Sequence, residues 1–110
     1  MLNMRADEGF YRKSCTSIDG GLTWSSPQIS IDQIDCKCQG SILSIGGAVF
    51  LSNAASATER INMTIKKSTD NGKNWKGQYT VYEGNSGYSD IVELSDSQIA
   101  IIYEGGEKRS

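Results

Sequence analysis

The sequence predicts an all-β fold in which one four-stranded antiparallel unit is repeated. Two pairs of similar segments within the chain support this prediction. The octapeptide SIDGGLTW, which begins at Ser17, returns as STDNGKNW at Ser68, 51 residues later. The segment QGSILSIGGAVFLSN, which begins at Gln39, is similar to YSDIVELSDSQIAIIYE at Tyr88, 49 residues later. Two internal repeats that share a period of about fifty residues indicate a supersecondary unit that the chain uses repeatedly.

The repeated unit is predicted to consist of β-strands. Ile61, Met63 and Ile65 alternate with polar residues, which is the period of a half-buried strand. The runs AVFL and IAII are apolar without alternation, as in strands that are covered on both faces. The strands predicted between the two octapeptides are 41–45, 48–51, 61–68 and 78–83. Four antiparallel strands in about fifty residues are typical of a β-propeller blade.

The two octapeptides are predicted to be structural turns that do not touch substrate. Their aspartates can accept hydrogen bonds from nearby backbone N–H groups, as in Asx turns. Their glycines can adopt the positive φ that a sharp turn requires, and their tryptophan rings are available to pack between sheets. The residues assigned to this role are Ser17, Asp19, Gly21, Thr23 and Trp24 in the first copy, and Ser68, Asp70, Gly72 and Trp75 in the second.

Composition limits the classes of function. The 110 residues carry a net charge of −2 and are 37% hydrophobic, ordinary values for a globular domain. The absence of a basic excess argues against a nucleic-acid partner, and no apolar run is long enough to cross a membrane. Neither a disulfide nor a metal site is predicted, because Cys36 and Cys38 are too close in sequence, Cys15 is left over, and histidine is absent. No cofactor is expected.

The pattern S-x-D-x-G-x-T-W resembles the Asp-box of sialidases (neuraminidases), also called the BNR repeat. SIDGGLTW fits the pattern fully, and STDNGKNW departs from it only at Asn74. Further segments are similar, in order, to segments of the exo-α-sialidases: LNMR at 2–5, CQGSI at 38–42, RINMTIKKS at 60–68, YSDIVEL at 88–94 and IIYE at 101–104. The resemblance implies an incomplete six-bladed propeller, with the end of one blade at 1–30, a full four-stranded blade at 41–83 and the start of the next at 88–104.

The resemblance also implies a site for sialic acid. Members of the family hold the carboxylate of this sugar with three arginines, of which Arg5 matches the second and Arg60 the third. Tyr88 matches the nucleophile of a retaining glycoside hydrolase that releases terminal sialic acid from glycoconjugates. Glu104 matches the residue that fixes the first arginine, and Gln39 matches a position that lines the glycan pocket.

The chemistry of the substrate explains these residue types. A guanidinium group binds a carboxylate through two parallel hydrogen bonds and stays charged at any working pH. A carboxylate nucleophile would be repelled by the substrate's own carboxylate, whereas a phenol avoids this repulsion. With an ordinary pKa of about 10, a phenol needs a base within hydrogen-bond reach. Because the first strands of propeller blades line one central channel, we expect Tyr88, Gln39 and Arg5 at the same mouth.

The family's first arginine, its acid/base aspartate and the glutamate that activates the tyrosine are expected upstream of Met1. We therefore expect the chain to be the C-terminal fragment of an exo-α-sialidase that is inactive alone. Sialylated glycans are the expected partners, and unclosed blade edges favour self-association. No signal-peptide pattern is present at the N-terminus; the complete enzyme is expected to be secreted or at the cell surface.

Two other functions remain open from the sequence. A non-catalytic Asp-box segment that binds sialylated glycans or a protein would explain the octapeptides equally well. It would not explain why Arg5, Arg60, Tyr88 and Glu104 all occur in sialidase-like contexts. Hydrolysis of a different sugar would require catalytic acids in matching motifs, which this segment lacks.

Overall fold

The computed structural model describes residues 1–95 and 98–106, and every regular element in these residues is a β-strand. The strands are β1 (Leu2–Met4), β2 (Tyr11–Cys15), β3 (Gln28–Ile34), β4 (Ser41–Ile45), β5 (Ala48–Ala54), β6 (Ile61–Ser68), β7 (Gly77–Ser95) and β8 (Gln98–Gly105). The prediction of an all-β fold is confirmed. Within the same residues, no helix is long and apolar enough to cross a membrane.

All neighbouring strands pair antiparallel, in the orders β1-β2-β3 and β4-β5-β6-β7-β8. The long strand β7 has two partners, because its first part pairs with β6 as far as Asn85 and its second part pairs with β8 from Ser86. Strands β4 to β6 and the first part of β7 therefore form one four-stranded sheet. The second part of β7 forms a hairpin with β8.

The predicted strands agree closely with this arrangement. Segments 41–45 and 61–68 coincide with β4 and β6, and segment 48–51 is the first part of β5, which continues to Ala54. Segment 78–83 lies within β7. Strand β3 was not predicted; its residues Ile29 and Ile31 alternate with polar neighbours but are exposed.

A buried ion pair joins the strands of the first sheet to the turn that follows it. Arg12 is 2% exposed and Asp35 is fully buried, and Nη1 of Arg12 donates to Oδ1 of Asp35 over 3.1 Å. The same Nη1 donates to the carbonyl of Cys38 over 2.9 Å, and Nε donates to the side chain of Asn3. Burial lowers the pKa of Arg12 and the Asp35 carboxylate opposes this shift, but a guanidinium remains charged.

This ion pair also meets the second sheet. Nδ2 of Asn53, in β5, donates to the carbonyl of Ile34 over 2.9 Å and lies 3.4 Å from Oδ1 of Asp35. Gly40 is packed so tightly that a Cβ atom would lie 2.7 Å from the carbonyl oxygen of Ser52 and 3.1 Å from Cζ of Arg12. The contact between the two sheets is therefore polar and close.

The first octapeptide forms a compact turn around one carboxylate. Asp19 accepts hydrogen bonds from the backbone N–H of Thr23 over 2.9 Å, from the Thr23 hydroxyl and from the Ser17 hydroxyl over 2.8 Å. Gly21 has a φ of 97° and donates its N–H to Ser17 Oγ over 2.9 Å. The indole N–H of Trp24 donates to the Gly21 carbonyl over 3.1 Å. The side chains thus satisfy the backbone groups of the turn.

The second octapeptide repeats this pattern around Asp70. Asn74, which replaces the threonine, donates its backbone N–H over 2.9 Å and its side-chain N–H over 2.8 Å to that carboxylate. The indole N–H of Trp75 donates to the Gly72 carbonyl over 3.1 Å. The two rings differ in burial, because Trp75 is 8% exposed and Trp24 is 43% exposed.

These hydrogen bonds stabilise the charged form of both aspartates. Donation by the Thr23 hydroxyl, followed by the Thr23 N–H and Ser17, lowers the pKa of Asp19 to about 2. Donation by the backbone and then the side chain of Asn74 lowers the pKa of Asp70 well below its ordinary value. A carboxylate that accepts several hydrogen bonds resists protonation in this way.

We expect Arg12→Met to lower the free energy of unfolding by about 3–5 kcal/mol, because it leaves the Asp35 carboxylate buried and unpaired. Urea unfolding followed by tryptophan fluorescence measures this loss. Lys13→Met is the control, since Lys13 pairs with Asp7 at the surface over 2.8 Å and should leave the unfolding midpoint nearly unchanged. Equal losses in the two variants would contradict the role given to Arg12.

We expect the two turns to lose their contribution to stability in acid. The pKa of each aspartate is lower in the folded chain than the value of about 3.9 in the unfolded chain, so the stabilisation is complete above about pH 4. It is lost as the pH falls through the folded value, which is about 2 for Asp19. Thermal unfolding between pH 5 and pH 2 measures the loss.

Two substitutions at Thr23 test whether the hydrogen bonds to Asp19 cause the loss of stability in acid. Thr23→Val removes the hydroxyl donor to Asp19 and should flatten the pH dependence. Thr23→Asn, which copies Asn74, should preserve it. The same acid response in all three proteins would show that the hydroxyl of Thr23 does not cause it.

Candidate active site

The candidate site is built around a β-bulge in β7. Ser86 pairs with Gly105 and Ser89 pairs with Tyr103, so that Gly87 and Tyr88 together oppose a single residue of β8. An extra residue of this kind interrupts the ladder and redirects a side chain. The Tyr88 side chain is 47% exposed. The bulge therefore presents a phenol to solvent near the start of the second part of β7.

Glu104 holds the bulge from the opposite strand. Its Oε1 accepts the backbone N–H of Tyr88 over 2.9 Å, in place of a ladder hydrogen bond. A Cβ atom on Gly87 would lie 2.5 Å from the same oxygen. Glycine is therefore required at that position if the carboxylate is to reach the Tyr88 N–H.

Arg60 lies against the other side of the bulge. Its carbonyl accepts the N–H of Ser86 over 2.8 Å, which ties the residue before β6 to the start of the bulge. Its guanidinium carbon lies 5.6 Å from the centroid of the Tyr88 ring. This is the geometry of a cation–π contact, and it brings a positive charge over an exposed phenol.

Gln39 lies directly beside Tyr88 through contacts with the next residue. Its Nε2 donates to the Ser89 carbonyl over 3.0 Å, and its Oε1 accepts the Ser89 N–H over 2.9 Å. Both ends of the amide are engaged with the backbone of the bulged strand.

Arg5 lies near the turn that follows β3. Its exposed guanidinium is within 3.5 Å of the Lys37 carbonyl, a long hydrogen bond. The charge of Arg60 acts on the same turn, because it opposes the rise in the pKa of Cys36 to about 11 that burial, Cys38 and Asp35 produce. Arg5 therefore contacts this turn, whereas Arg60 influences it through its charge and contacts the Tyr88 ring.

The direct contacts bring together Arg60, Tyr88 and Glu104, and they place Gln39 next to this group. Arg5 is linked to it through the turn at 35–38. Sequence reasoning did not single out Gly87, Ser89, Arg12 or Asp35. The glycine before the tyrosine was a signal for a bulge, whereas nothing in the sequence distinguishes a buried arginine from an exposed one.

Known proteins with similar sequences are sialidases. The chain is 33% identical over 106 residues to a sialidase of Micromonospora viridifaciens, an alignment that covers 87% of this chain and 16% of that protein. It is 31% identical over 116 residues to a sialidase of Bacteroides fragilis, covering 94% of this chain and 21% of that protein. The chain thus spans about a fifth or less of these relatives.

A similar structure leads to the same group of proteins. A Hadza microbial sialidase superposes with a TM-score of 0.79 at 28% identity, over 94% of this chain and 22% of that one. The sialidase fold is a β-propeller, so the predicted fold class is confirmed. The family described as the BNR repeat-like domain matches residues 1–101. The chain therefore belongs to the BNR repeat-like domain family and is a homologue of bacterial sialidases over most of its length.

Proposed function

We propose that the chain supplies the C-terminal part of the active site of an exo-α-sialidase, a retaining glycosidase that releases terminal sialic acid from glycoconjugates. The observation that carries this proposal is the group formed by Arg60, Tyr88 and Glu104. A cation, an exposed phenol and a carboxylate meet at a single β-bulge. β-Bulges are over-represented next to active sites, where they direct side chains.

In this proposal Arg60 and Arg5 bind the carboxylate of the sugar. Both residues are exposed; Arg5 contacts the turn at 35–38, and the charge of Arg60 acts on the same turn. A guanidinium can donate two parallel hydrogen bonds to a carboxylate. The family's first arginine, which would complete the clamp, is expected from residues outside this chain.

Tyr88 is proposed to be the nucleophile. Its phenol oxygen attacks the anomeric carbon, the bond to the leaving oxygen breaks, and water later hydrolyses the glycosyl–tyrosine bond. The phenol proton passes to a base and the leaving oxygen receives a proton from an acid, both expected outside this chain. The charge of Arg60 over the ring favours the negative charge that develops on the phenol oxygen.

Glu104 is proposed to hold the first arginine of the clamp. Its Oε1 is engaged with the Tyr88 N–H, and within residues 1–95 and 98–106 no hydrogen bond engages its Oε2. An arginine bound at Oε2 would connect the carboxylate clamp to the strand that carries the nucleophile.

The blade boundaries are part of the same proposal. Residues 1–30 would end one blade, 41–83 would form a full blade and 88–104 would begin the next. The separate β1–β3 sheet, the four-stranded sheet and the β7–β8 hairpin support this division. Strand β3, which ends at Ile34, extends the first of these segments by a few residues.

We expect the 110-residue chain alone to release no fluorophore from a fluorogenic α-sialoside, because the base for Tyr88 and the first arginine of the clamp are expected outside this chain. A chimera in which residues 1–106 replace the aligned segment of a bacterial sialidase relative should be active. In that chimera Tyr88→Phe should reduce kcat by roughly 10³-fold or more.

Two results would contradict this function. Turnover by the isolated chain would show that the missing groups are not needed. A folded chimera that binds sialic acid through Arg60 without turnover would identify a binding segment instead. Thermal unfolding and circular dichroism of each protein establish whether it is folded.

We also propose that the isolated chain self-associates through open sheet edges. Strands β3 and β8 each end a sheet, and each exposes large apolar side chains, including Ile31 and Ile102. Unpaired edges of this kind pair with other chains. We expect light scattering to give a mass that rises with concentration and falls for Ile31→Lys. Glu93→Lys, which changes an exposed residue within β7, is the control. A constant monomer mass would exclude self-association.

A further inference from the structure

The two hydrogen bonds between Gln39 and Ser89 set the conformation of the bulged strand. One amide group donates to the Ser89 carbonyl over 3.0 Å and accepts the Ser89 N–H over 2.9 Å, so it brackets a single residue. These two residues are 50 positions apart in sequence. A side chain from the loop before β4 therefore performs the role that a neighbouring strand would perform in a regular sheet.

Side chains control this part of β7 because the bulge interrupts its backbone ladder. The N–H of Tyr88 is held by Glu104, and the next residue is held by Gln39. The Ser89 hydroxyl also lies 2.7 Å from the buried Ser52 hydroxyl. Ser89 is buried whereas Tyr88 is exposed. The phenol is thus an exposed group attached to a firmly held backbone.

We propose that Gln39 is a positioning residue for Tyr88, an inference that rests on the nucleophilic role proposed for that tyrosine. A primary amide carries an acceptor oxygen and a donor NH2 group at the spacing that brackets a residue. Glutamate keeps the acceptor and has no donor, and methionine has neither at comparable length. This role differs from a direct contact with the glycan, because both ends of the amide are engaged with protein.

Gln39→Met and Gln39→Glu test this role, with Gln28→Met as a matched control at an exposed position in β3. In the 110-residue chain, we expect exchange of the Ser89 amide hydrogen to become roughly 10-fold faster in Gln39→Met. The NMR cross-peaks between the Tyr88 ring and the Arg60 side chain should weaken. Gln39→Glu should show a smaller change, and Gln28→Met should show none.

In the active chimera, misplacement of the nucleophile should lower kcat by roughly 10²-fold in Gln39→Met while KM is unchanged. A raised KM with unchanged kcat and unchanged Ser89 exchange would overturn the inference and identify Gln39 as a glycan contact. If the unsubstituted chimera folds but is inactive, the proposed function fails. In that case the two NMR measurements on the 110-residue chain, the exchange rate of the Ser89 amide and the intensity of the Tyr88–Arg60 cross-peaks, still decide whether Gln39 positions the tyrosine. If Gln39→Met does not fold, Gln39→Glu provides the same measurements.

Discussion

The arrangement of the two sheets depends on the buried ion pair between Arg12 and Asp35. Removing two charges from water costs several kcal/mol per ion in a protein interior, and the attraction between them offsets this cost only when the remaining donors and acceptors are satisfied. In this chain the Cys38 carbonyl, the Asn3 side chain and the Ala6 N–H complete the pair. Each of these partners must lie in a fixed direction, so the pair restricts the strands and the turn at 35–38 to one arrangement.

The same carboxylate connects this structural pair to the candidate site. Oδ2 of Asp35 accepts the N–H of Ala6 over 2.8 Å and the N–H of Lys37 over 3.2 Å. Ala6 directly follows Arg5, and the Lys37 carbonyl is the group that the Arg5 guanidinium approaches. One buried side chain therefore fixes both the backbone that carries an arginine and the turn beside which it lies. The geometry of an exposed residue thus depends on a charge that solvent does not reach.

The sequence predicted those elements whose signals are local. Strand β6 has alternating apolar residues and β4 is followed by two glycines, so their bounds were predicted correctly. Strand β3 was missed although Ile29 and Ile31 alternate with polar residues; both side chains are exposed, so in this strand the alternation does not mark a buried face. The continuity of β7 was missed because NSGYSD has the composition of a loop, whereas Glu104 and Gln39 hold it as a bulged strand. Such long-range side-chain contacts leave no local signal.

Residues about one period of the repeat apart in the sequence meet in the structure. Gln39 contacts Ser89 and Ser41 contacts Asp90, at separations of 50 and 49 residues. Strand β4 lies close to the second part of β7, so residues about one period apart become neighbours. Similarity of sequence singled out Gln39, and its two hydrogen bonds to Ser89 support the positioning role proposed for it. In the second turn Asn74 takes the place of threonine, yet it supplies the same two donors, one from the backbone and one from the side chain, to an aspartate. In this fold a position is defined by the donors and acceptors that it must provide, and more than one residue type can provide them.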